Sequence, residues 1–88
     1  MNEPDDEELA QSVLVEAIEN QIRDGNPAEA KNTLNKLMLV GTAREEAVQM
    51  MATVLAVEVR SILKEERAFD TAWYVKALQA LPTLPDEK

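Results

Sequence analysis

Residues 43–65 constrain this chain more than any other segment. Between positions 47 and 63 they carry Val48, Met50, Met51, Val54, Leu55, Val57, Val59, Ile62 and Leu63. Placed at about 100° per residue, these side chains cover well over half of a helix circumference. Such a helix has to be contacted from more than one direction. It is the central element of a helical domain, part of a dimer interface, or both, and Met50, Met51, Val54 and Val57 are the interface candidates. Gln49, Thr53 and Glu58 interrupt the run, which is too short for the roughly 20 residues that cross a bilayer.

The rest of the chain supplies helices to surround it. Helix one is predicted over about 5–24, with Leu9, Val13, Leu14, Ala17, Ile18 and Gln21–Ile22 at three- and four-residue spacing forming one buried stripe. Gly25 stops it, since glycine takes a positive φ at little cost. Asn26-Pro27-Ala28-Glu29 reads as a capped start for helix two, over 27–40, with Asn26 as the cap and Ala30, Leu34, Leu37 and Met38 as the stripe. Gly41 closes it, and Thr42-Ala43-Arg44-Glu45 reads as a second capping box opening helix three over 43–65. Helix four, over 70–81, has Asp70 as its cap, a staple from Phe69 to Trp73, and Trp73, Tyr74, Ala77, Leu78 and Leu81 as its apolar side. The tail, 82–88, has nothing to bury. The expected architecture is therefore a single all-α domain over 1–88. It is either a four-helix up-down bundle or two packed helical hairpins around a long central third helix.

Composition agrees with that class. Of 88 residues 45% are hydrophobic, too many for a disordered chain, and they are mainly Ala, Leu, Val, Ile and Met, with aromatics at 3% and two glycines. Without cysteine no disulfide or thiol chemistry is available. Chains this short often complete their cores by association, a second argument for a homodimer. The net charge of −8 argues against nucleic-acid and anionic-membrane partners, which have to be met by Lys and Arg. Part of the excess lies in Glu3, Asp5, Asp6, Glu7 and Glu8. These fit the positive end of a helix dipole or, alternatively, an acidic segment for a basic partner. Met1 to Glu8 is acidic and does not lead into an apolar run, so no secretory leader is expected and the expected location is cytoplasmic.

Catalytic residues are scarce. With no histidine, the commonest general base and metal ligand are missing. Ser12 and Ser61 have no base to activate them, and Gly25 and Gly41 stand alone, so neither a triad nor a phosphate loop is present. Carboxylates remain: Glu16 and Glu19 on helix one, and Glu45, Glu46 and Glu58 on helix three, all read as a solvated face. No catalytic residue, metal ligand or cofactor is assigned.

Glu19-Asn20-Gln21, Asn26-Pro27 and Arg44-Glu45-Glu46-Ala47-Val48-Gln49, with Tyr74, Leu78 and Leu81 closing the pattern, resemble an uncharacterised bacterial family of small helical domains. The likeness covers about residues 11 to 81. Members of that family carry an H-x-x-x-H pair on helix one and R-H-E-A-x-H at the start of helix three. The resemblance implies that the histidine positions correspond to Gln11 and Val15, and to Glu45 and Gln49, with Glu46 keeping the glutamate. All four ligand positions are replaced, and valine cannot coordinate a metal. The implied chain has kept a scaffold and lost a site.

The function expected on these grounds is a non-enzymatic intracellular helical domain for protein–protein contact or oligomerisation. Two alternatives are a metal-associated or catalytic protein using Glu16, Glu45 and Glu46, and an acidic adaptor or inhibitor of a basic partner.

Overall fold

The computed structural model describes residues 6–86, and they are all-α. Helix α1 spans Asp6–Asp24, α2 Ala28–Leu39, α3 Arg44–Glu65 and α4 Thr71–Ala80. The expected boundaries hold to within a residue. Asp5, Glu3 and residues 87–88, on which parts of the N-terminal and tail readings fall, lie outside the described residues.

Helix ends show why two expected caps are not caps. At the end of α1 the N–H of Asn26 donates to the Gln21 carbonyl (3.2 Å), beside Gly25 at φ 66°. At the end of α2 the N–H of Thr42 donates to Leu37 (2.9 Å) and that of Gly41, at φ 98°, to Met38 (3.1 Å). This is the paired closure that satisfies orphan carbonyls after a left-handed residue. Asn26 and Thr42 thus lend their backbone N–H groups to the preceding helix. The next helix begins one residue later, on Pro27 and Ala43, neither of which supplies a side-chain cap. Asp70 does cap α4, accepting from the Trp73 N–H at 3.0 Å. Phe69 meets Tyr74, with ring centroids 5.2 Å apart in an edge-to-face contact.

Helix α3 packs against all three others, as its apolar circumference requires, and α2 does the same. Among the described residues α1 and α4 are not neighbours in the backbone. Taken in the order α1, α2, α4, α3, each helix touches the next and the last returns to the first, while α2 and α3 also touch across this ring. Ile18, Leu34, Leu37, Met51, Val54, Tyr74, Leu78 and Leu81 are among the residues of one continuous core. Met51, Val54 and Val57, expected as interface candidates, are buried within the single chain because α1, α2 and α4 cover them, and Met50 is half-buried against the same core. The stripe of α1 is also corrected. Leu14, Ala17, Ile18 and Ile22 reach the core, whereas Leu9 and Val13 point away and are 56% and 58% exposed.

Candidate functional site

The first residues of α3 lie beside α1, which brings part of the expected site together. Gln11 donates through Nε2 to Oε1 of Gln49, and Arg44 grips Glu19 with two hydrogen bonds of 2.8 Å. The lower position on α1 pairs with the higher one on α3, so the two helices meet here in opposite senses. Val15, between Gln11 and Glu19, is half-buried against the core. Glu16, Glu45 and Glu46 are exposed. Among the described residues no group of three or more carboxylates is placed to hold a metal ion.

What this face can do chemically follows from its groups. A carboxamide pair is neutral and offers no base of useful strength. The hydrogen bonds from Arg44 hold the Glu19 carboxyl below the usual carboxylate range, and Glu19 in turn raises Arg44. Both therefore stay charged through neutral pH, and neither is poised to exchange a proton there. The face ties α1 to α3.

A second cluster lies where sequence reading placed only a solvated carboxylate. Glu58 is fully buried. Its Oε2 accepts from Nη1 of Arg67 at 2.8 Å and from the Asp70 N–H at 2.6 Å, while Oε1 accepts from Nη2 of Arg67 at 3.0 Å. Arg67 also donates to Oγ of Ser61 and to the Ala68 carbonyl, each at 2.8 Å. Glu66, at φ 52°, turns the chain left-handed after α3, so that Arg67 folds back onto the helix it has just left. The signal for this corner was periodicity. Met51, Val54, Leu55, Glu58, Ser61 and Ile62 recur at three and four, placing Glu58 inside the buried stripe. A buried carboxylate needs a partner, and Arg67 is the cation the next turn can deliver.

Tyr74 makes the contact that joins the outer helices. Its hydroxyl donates to Oε1 of Gln21 at 2.8 Å, bridging α4 to α1, and burial pushes its pKa up to about 12.

The outer surface holds the remaining feature. Met38, Leu39 and Val40 at the end of α2 are 46%, 87% and 67% exposed, and a shallow groove of ≈ 410 Å³ is lined by Asn35, Met38 and Leu39. Elsewhere Leu63 is 75% exposed near the end of α3. No helix among the described residues is long and apolar enough to cross a membrane. No protein-family model matches the chain, and neither a curated protein nor a solved structure matches it significantly.

Proposed function

We propose that this chain is a non-enzymatic, intracellular helical domain that works through protein–protein contact and associates with a second copy of itself. The observation that carries this reading is the run Met38-Leu39-Val40, apolar side chains left in solvent at the end of a helix whose other face is fully packed. Contiguous exposed apolar surface marks interaction sites. The argument no longer rests on Met51, Val54 and Val57, which the chain covers for itself. Net charge speaks against nucleic acid as the partner, and the absence of His and Cys from the sequence leaves little for catalysis. The pairing of Gln11 with Gln49 supports the view that residues at the family's histidine positions now serve as a polar tie between helices. Sedimentation equilibrium over a wide concentration range tests the proposal. A mass rising from one chain to two supports it, and one chain at every concentration overturns self-association.

A further inference from the structure

The turns between the helices differ in what enforces them. After α1 the left-handed residue is Gly25 and after α2 it is Gly41, at φ 66° and 98°. Glycine adopts that conformation freely, and Pro27 further bars the first turn from continuing as helix. Between α3 and α4 the left-handed residue is Glu66, at φ 52°, where a side chain is strained. Residues 64–70 contain neither glycine nor proline, and Lys64, Glu65, Glu66, Arg67 and Ala68 are all strong helix formers. Locally this stretch favours running α3 straight on into α4, and the break is imposed from outside it.

Glu58 imposes it. Its carboxylate holds Arg67 by the guanidinium and Asp70 by the backbone N–H, so that α4 starts beside the body of α3. Helix α4 then seats the buried Tyr74, Leu78 and Leu81 in the common core, packed on α2 and α3. Near its far end the Gln79 carbonyl accepts from Lys36 of α2. Lifted off a single chain, α4 would leave those three side chains and the site they fill in water. A second copy opened in the same way carries the one surface already seen to fit that site, its own α4. Ahead of that helix comes its own Arg67, the cation that a buried Glu58 requires.

We propose that residues 66–70 form a hinge through which two copies exchange α4. In each copy α3 runs on into α4, which seats on the other chain. Exchange restores the core contacts of α4 and relieves a left-handed glutamate in each copy, and short hinges under strain favour such swaps. It goes beyond the self-association proposed above, because a dimer made this way does not use Met38-Leu39-Val40.

The experiment uses the full chain with Lys36→Cys and Gln79→Cys, both exposed and brought together by the α2–α4 contact; the native chain has no cysteine to compete. This variant, its fold verified by circular dichroism, is refolded from urea at micromolar to millimolar concentration and separated by size. Each species is treated with a short bis-maleimide, and its mass is read under denaturing conditions. The expected result is a monomer linked within one chain and a dimer linked between two. Glu66→Gly, made in the otherwise native chain, changes both hinges of the dimer at once, easing the turn and weakening the continuous helix. It should raise the dissociation constant at least about tenfold. A dimer whose links all lie within single chains overturns exchange while self-association stands. One chain at every concentration overturns both. A dissociation constant that Glu66→Gly leaves unchanged overturns this turn as the hinge.

Discussion

Glu19–Arg44 and Glu58–Arg67 are the same chemical pair in two settings. Each joins a guanidinium fork to both oxygens of a carboxylate at 2.8–3.0 Å. The first is roughly half exposed on both sides, whereas the carboxylate of the second has no exposure at all. In water the exposed pair gains little over its hydrated alternatives. In the interior the carboxylate has lost that alternative, so the partner becomes obligatory. Equal geometry therefore does not mean equal energy, and dependence on the partner comes from what surrounds the pair.

The largest test of this contrast is Arg67→Ala, expected to cost about 3–5 kcal/mol in urea denaturation because it strands Glu58. That is a large part of the roughly 5–15 kcal/mol available to an ordinary domain. A loss no greater than that of Arg44→Ala would break the comparison. It is sharpened by Glu58→Leu combined with Arg67→Met, which should recover most of the loss by removing the buried charge together with its partner.

Tyr74 extends the contrast to a neutral group. Its folded pKa of about 12 lies above the ordinary tyrosine value of 10.0, so its contribution is complete below pH 10 and disappears as pH rises from there through 12. Across that interval thermal denaturation should show a loss of about 2–3 kcal/mol from this group, absent in Tyr74→Phe.

Smaller effects follow. Glu66→Gly should raise stability by about 0.5–1 kcal/mol, since the residue sits at a positive φ that glycine adopts freely. An unchanged melting temperature would mean that the Glu66 side chain offsets its backbone cost. Last, a double-mutant cycle of Glu19→Gln and Arg44→Gln should give a coupling near half a kcal/mol that fades in salt. A coupling of several kcal/mol would show the exposed pair behaving like the buried one.

The helices were legible in the sequence because their signals are local. Apolar spacing and the glycines at 25 and 41 placed the end of α1 and both ends of α2, α3 and α4 within a residue. Caps were less legible, because Asn26 and Thr42 are good capping types, while only the three-dimensional turn shows that the N-cap positions fall one residue later, at Pro27 and Ala43. Glu58 was misread because its charge suggested solvent, while its register within the Val54–Ser61 stripe pointed inward. Its partner lies beyond a left-handed turn that a glutamate at position 66 does not announce. Leu9 and Val13 were misread for the opposite reason. Their spacing continues the α1 stripe, yet at about 100° per residue it carries them to the side of the helix opposite the buried Ile18 and the half-buried Ile22. Gln11 and Gln49 were set in corresponding places by resemblance alone, and the structure bonds them.

The lack of backbone contact between α1 and α4 also bears on how quickly the chain reaches its fold. Each helix docks on its neighbour in sequence across a turn of a few residues, and α1 with α4, the most distant pairing along the chain, meet chiefly through Tyr74 and Gln21. Contacts that close early need no long search. Refolding after rapid dilution from urea should therefore fall in the microsecond-to-millisecond range typical of helical domains of low contact order.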